Sequence, residues 1–189
     1  DIWEVIEAAK TKPLGFYPFY PGPGVGGHCI PLDPFYYAWK VREYDKRATI
    51  IEASGNILDN MPQYVMCRIM EEMNARNLLV NGAKVLMIGV AYKADINDIR
   101  ESPSLKLLDL LVKNGAIVGY HDPMIPEFLY NGIRYVSSEL SPEVLHEAEL
   151  TIIMTAHRNI DYERIRCEAS LIFDTRNVYG ISNANIVRL

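Results

Sequence analysis

Lys84-Val-Leu-Met-Ile-Gly-Val-Ala91 is the stretch from which the fold of this 189-residue chain is read. The run is short, apolar and preceded by the turn pair Asn81-Gly82, as expected of a strand buried on both faces. A helix is expected next over residues 104–113, opened by Ser102-Pro103 and closed by Asn114-Gly115. Residues 116–120 read as a second strand, 141–147 as a short helix, 150–154 as a strand, 161–167 as a helical turn or two, and 171–174 as a last strand. Strands alternating with helices imply an α/β architecture with a parallel sheet covered on both faces. Ligands of such sheets sit beyond the carboxyl ends of the strands, which directs attention to the segments after Ala91, Tyr120, Thr155 and Asp174.

Upstream, residues 1–9 read as an amphipathic helix with Asp1 at its N-cap and Glu4 three residues later. Residues 13–34 combine repeated prolines and glycines with Phe16, Tyr17, Phe19 and Tyr20, which suits a structured loop better than a flexible linker. From residue 35 to 77 the pattern is helical, with Ile50, Ile57, Met61, Val65, Ile69 and Met73 at spacings built from threes and fours. Pro62 is expected to kink or divide that helix, which reads as a domain connector or dimer face. The change at Asn81-Gly82 divides the chain into a helical region, 1–80, and a sheet domain, 81–189.

Hydrophobic residues make up 49% and charged residues 23%, ordinary proportions that exclude a disordered chain and a disulfide-stapled miniature. A net charge of −5 without a Lys/Arg block leaves no electrostatic footprint for nucleic acid or an anionic membrane, so neither is expected as a partner. The three cysteines are odd in number and far apart, which points to a reducing, cytoplasmic compartment. No apolar run approaches the ~20 residues that span a bilayer.

Two segments carry chemistry. The first is Tyr20-Pro-Gly-Pro-Gly-Val-Gly-Gly-His-Cys-Ile-Pro-Leu-Asp33. Gly22, Gly24 and Gly27 formally satisfy Gly-x-Gly-x-x-Gly, but the bracketing prolines forbid the strand and helix that a dinucleotide fingerprint needs. A loop whose N–H groups wrap a ligand fits better, the plain alternative being a tight turn. Cys29 is then a candidate nucleophile and Asp33 a candidate for ordering water or accepting a proton, against the alternative of an inert thiol. Cys67 and Cys167 are expected to be packing residues, and His28 with Cys29 lacks partners at metal-ligand spacing, so no metal is expected. The second segment, Tyr92-Lys93 through Arg100, follows the first strand; a stacking aromatic with two cations suits a diphosphate-linked base. The alternative is a solvated loop in which Asp95, Asp98 and Glu101 neutralise Lys93 and Arg100. Arg176, after the last strand, is another phosphate or ribose candidate. His121 reads as either a rim or a satisfied loop histidine, while His146 and His157 are expected at the surface.

Taken together, the loop ending in Gly-Gly-His-Cys-Ile-Pro-Leu-Asp33, the block Gly89-Val-Ala-Tyr-Lys-Ala-Asp95 with Asp98-Ile-Arg-Glu-Ser-Pro103, and Phe173-Asp-Thr-Arg-Asn177 resemble the UDP-glucose/GDP-mannose dehydrogenase family. The wording is most similar to the branch acting on UDP-N-acetylhexosamines. The resemblance implies a Rossmann-like parallel sheet binding UDP, preceded by an α-helical central and dimerisation region. It also implies NAD-dependent oxidation of a UDP-sugar C6 alcohol to the acid, with Cys29 forming a thiohemiacetal and then a thioester that water cleaves with help from Asp33. By the same matching, Tyr20, Gly26, Tyr92, Lys93 and Arg176 contact the UDP-sugar and Arg100 reaches toward NAD. A glycine fingerprint for NAD is missing, so the chain is expected to be a fragment without turnover alone; the alternative is a stand-alone UDP-sugar-binding or dimerisation module.

Overall fold

A computed structural model describes residues 1–189. Asp1 caps the first helix, α1 (Ile2–Lys10), by accepting the N–H of Trp3 at 2.9 Å. The proline-rich stretch that follows holds neither helix nor strand until α2 (Asp33–Arg42), in which Ala38 is the one buried residue. A break at residues 43–48 separates α2 from the long helix α3 (Thr49–Asn74). The expected division at Pro62 does not occur: α3 runs through it as one 26-residue element. A proline lacks only its own N–H, so the loss is confined to the bond owed to Leu58 C=O, and packing of Val65, Met66, Ile69 and Met73 into the core holds the rest.

The sheet is built from β1 (Lys84–Ile88), β2 (Ile117–His121), β5 (Leu150–Ile153), β6 (Ile172–Asp174) and β7 (Ile186–Arg188), all neighbours parallel, in the order β2-β1-β5-β6-β7. The central strand β5 is buried along its whole length, as a strand covered on both faces must be. Side-chain alternation assigns the faces: Val85 and Met87 join a core with α3 and α4 (Pro103–Lys113), whereas Leu86 and Ile88 join a second core with α5 (Pro142–Glu147) and α6 (Tyr162–Glu168). The expected α/β sheet with helices on both faces is present, and its strands and helices fall where the apolar runs place them.

Three strands are not read from the sequence. A hairpin, β3 (Glu127–Tyr130) and β4 (Ile133–Val136), turns at Asn131-Gly132, where φ is +49° and +78°, the left-handed pair that a two-residue hairpin demands. β7 lies beyond the strand expected to be last. Its three residues are too few to show a period, and only pairing with β6 reveals it. No helix is long and apolar enough to cross a membrane.

Candidate functional site

The strands end level with one another. Ile88 pairs with His121 and with Ile153, and Ile153 pairs with Asp174, so the loops that follow leave the sheet side by side. Across this rim lies the proline–glycine loop. Gly27 N–H donates to Arg100 C=O at 2.9 Å, and a Cβ on Gly26 would sit 2.6 Å from Tyr92 Cβ and 2.8 Å from Glu101 O. A Cβ on Gly22 would sit 2.6 Å from Arg176 Nη1. A side chain at Gly26 would separate loop from rim, whereas one at Gly22 would displace the end of the Arg176 side chain.

Between loop, rim and α3 lies a cavity of about 580 Å³ lined by Tyr20, Gly22, Gly26, Tyr92, Lys93 and Arg176, with Ile57, Leu58 and Met61 of α3 as one wall. All five residues matched to substrate contact in the sequence therefore meet in one space. Its polar character is cationic. The Arg176 Nε–H donates to Met154 C=O at 2.7 Å, no carboxylate pairs with the guanidinium, and burial lowers its pKa from the ordinary value. A guanidinium keeps its charge regardless, so a partly buried cation without a counter-ion calls for an anionic ligand. Asp174, buried behind it with its pKa raised by burial, accepts the N–H groups of Arg176 (2.9 Å) and Tyr179 (3.1 Å) and so shapes this loop. Tyr20 offers its ring, because its hydroxyl already donates to Glu7 Oε1 (2.6 Å) and accepts from Lys10 Nζ (3.2 Å), with Trp3 stacked on it at 5.6 Å.

The other three candidates lie outside that cavity. Cys29 is exposed, and its carbonyl accepts the N–H groups of Leu32 (3.1 Å) and Asp33 (2.8 Å), a turn that brings the start of α2 back beside it. Ile30, the next residue, lines the cavity. Arg100 grips Asp98 instead: Nε lies 3.0 Å from both carboxylate oxygens and Nη2 2.6 Å from one, and this hydrogen bonding holds Asp98 down at about 2. The paired-charge alternative thus holds for Arg100 and not for Lys93.

Two expectations fail. His157 is fully buried rather than at the surface, and Asp122 beside it is a hub that composition alone did not mark. Asp122 Oδ2 accepts the N–H groups of Val90 (2.7 Å) and Ala91 (3.0 Å) and lies 3.2 Å from His157 Nε2; Oδ1 accepts from Met124 (2.8 Å) and Ile125 (3.2 Å). Burial alone would push this carboxyl up, but His157 and the backbone donors outweigh it and the net pKa is lowered. The available signal was His121-Asp122-Pro123 at a strand end, and a histidine just past Thr155. Cys67 and Cys167 are exposed, not packing residues: on α3 the buried turn is carried by Met66 and Ile69, and Cys67 falls off that stripe.

Fold and site together define a parallel α/β domain with a cationic cavity at the carboxyl edge of its sheet. Residues 86–181 match the UDP binding domain of the UDP-glucose/GDP-mannose dehydrogenase family, residues 1–60 match that family's central domain, and the chain belongs to this family. It is 33% identical over 186 residues to the UDP-N-acetyl-D-mannosamine dehydrogenase of Methanococcus maripaludis strain C7, covering 94% of this chain and 40% of that protein. Among solved structures it resembles a UDP-D-ManNAc dehydrogenase from Pyrococcus horikoshii (25% identity, TM-score 0.80, 99% of this chain and 43% of that one). It also resembles a UDP-glucose dehydrogenase from Pyrobaculum islandicum (27% identity, TM-score 0.78, 95% and 41%). The chain thus spans about two fifths of the relatives it matches.

Proposed function

We propose that this chain is the central and UDP-sugar-binding portion of an NAD-dependent UDP-sugar 6-dehydrogenase, with a helical part at 1–80 and a sheet part at 81–189. The observation that carries this reading is the single cavity joining Tyr20, Gly26, Tyr92, Lys93 and Arg176. Arg176 and Lys93 neutralise the diphosphate, Tyr92 stacks on the base, and the glycine loop closes over the sugar. The resemblance to UDP-N-acetylmannosamine dehydrogenases favours a UDP-N-acetylhexosamine.

The oxidations of such a reaction need a hydride acceptor, NAD in the family. The residues present do not form a dinucleotide cradle, because Gly22, Gly24 and Gly27 lie between no strand and no helix start. The Cys29 sulfur adds to the C6 aldehyde carbon, forming a C–S bond while the carbonyl pair moves to oxygen, which takes up the thiol's proton to give a thiohemiacetal. After oxidation to the thioester, water adds to the acyl carbon while Asp33 takes one of its protons, the oxyanion re-forms the carbonyl as the C–S bond breaks, and the acid's remaining proton passes to the departing thiolate, leaving the carboxylate and the Cys29 thiol. Arg100, exposed and paired with Asp98, is proposed for the cofactor side. The chain alone is proposed to bind UDP-sugar without turning it over.

The test joins this chain to an NAD-binding part and follows NADH formation with UDP-N-acetylmannosamine. Cys29→Ala is expected to lower turnover by more than about a thousandfold; ordinary turnover by that variant would sink the mechanism. A second reading, a binding and dimerisation module without catalysis, is favoured if the intact Cys29 protein gives no NADH while binding UDP-sugar.

A further inference from the structure

Tyr92, Lys93 and Ala94 form a short arch between two anchored feet. At the first foot, Ala91 N–H donates to Asp122 Oδ2 at 3.0 Å and Ala91 C=O accepts the Thr155 hydroxyl at 2.6 Å. At the second, Asp95 N–H donates to His157 Nδ1 at 2.9 Å. That bond fixes the tautomer. A nitrogen that accepts carries no proton, so the imidazole proton is on Nε2 and is donated to Asp122 Oδ2, 3.2 Å away. One buried ring therefore ties together the loops after β1, β2 and β5 at the end of the segment whose Tyr92 and Lys93 line the cavity.

We propose that His157 is a positioning residue that sets the Tyr92–Lys93 arch, and that it does so only as the neutral Nε2–H tautomer. This rests on the cavity being the UDP-sugar site. Protonation at Nδ1 turns the acceptor into a donor facing the Asp95 N–H, and the second foot is lost. Losing that foot shifts the arch, and affinity for a diphosphate ligand falls with it; the Asp95 carboxylate is held separately by Arg158, whose Nε lies 2.6 Å from Oδ2.

The test uses the 15N-labelled chain and UDP-N-acetylglucosamine, with affinity read by calorimetry at pH about 7.5. The His157 ring nitrogens are expected to show the Nε2–H tautomer and the Asp95 amide to be protected from exchange. His157→Asn, whose carbonyl accepts, should hold Asp95 protection and bind like the wild-type chain. His157→Phe, which fills the space and makes neither bond, should expose the Asp95 amide to exchange and bind about tenfold more weakly, the size of one lost hydrogen bond. Unchanged binding by a folded His157→Phe, an Asp95 amide that stays protected in it, or an Nδ1–H tautomer in the wild-type chain overturns the proposal. Should the wild-type chain bind no UDP-sugar, the site reading fails, and the Asp95 amide still decides whether His157 anchors the arch.

Discussion

Arg176 concentrates the argument at the scale of single residues. A partly buried guanidinium with only a backbone carbonyl to bond is stabilised most by an anion, so Arg176→Met is expected to weaken UDP binding by about 10–100-fold, read by calorimetry. Arg176→Lys should not restore it fully, because an ammonium lacks the planar fork. Asp122 makes the opposite kind of statement, about stability. Its carboxylate pKa is depressed in the fold, so its contribution is fully present above the unfolded carboxylate value and is lost as pH falls toward the folded one. Asp122→Asn leaves buried N–H donors facing an amide, is expected to cost about 3 kcal/mol by urea unfolding, and should flatten the acid limb of the stability profile. The types of these residues were visible in the chain; what they touch was not. Arg100 and Arg176 look alike as cations after strands, yet Asp98 two residues away captures the first while the second bonds only the Met154 carbonyl.

Among elements, the contact between α2 and α3 turns on Gly55, because a Cβ there would overlap the Phe35 ring. Replacing it by alanine gains helix propensity of about 1 kcal/mol but forces the ring out of place, an overpacking cost of about 1–3 kcal/mol. Gly55→Ala is therefore expected to lower the thermal midpoint, and adding Phe35→Leu should recover most of the loss; additive effects of the two changes would contradict the contact. The glycine loop obeys the same logic. Gly26→Val places carbon where Tyr92 and the Glu101 carbonyl already stand, so UDP-sugar binding should fall while the sheet domain keeps its circular dichroism. The hairpin at 127–136 shows why some elements escape sequence reading: short strands on the outside of the sheet domain bury one side only, and their turn pair Asn131-Gly132 is the sole strong local signal.

For the whole molecule, α3 is the member common to both parts. Its second half, from Val65 to Met73, is packed into the core of the sheet domain, whereas its first half shows Ile50, Ile57 and Tyr64, spaced seven apart on one face, at 82%, 65% and 53% exposure. Tyr36 and Trp39 of α2 are exposed as well. An apolar stripe of this kind is the proposed self-association surface, and sedimentation should find a dimer that Ile50→Asp with Tyr64→Asp converts to a monomer. A wild-type monomer at tens of micromolar would refute it. At the far end of the chain, Arg188 Nη2 meets Asp1 Oδ2 at 2.8 Å and ties α1, with the Tyr20 ring it holds, to the edge strand β7.

Local order along the chain was enough for β1, β2, β5 and β6, the helices between them and their parallel arrangement, because apolar runs and their punctuation are nearest-neighbour properties; it missed β3, β4, β7 and the break between α2 and α3. It was enough, too, to mark the glycine loop and the cations that follow β1 and β6. What required tertiary structure was company. Whether a cation is free or paired, whether a histidine is at the surface or beneath an arch, and whether proline 62 breaks a helix all depend on groups that lie far away in sequence and close in space. The stretch from Lys84 to Ala91 specifies a strand by itself; only the level ends of its neighbours turn the residues after it into one wall of a cavity.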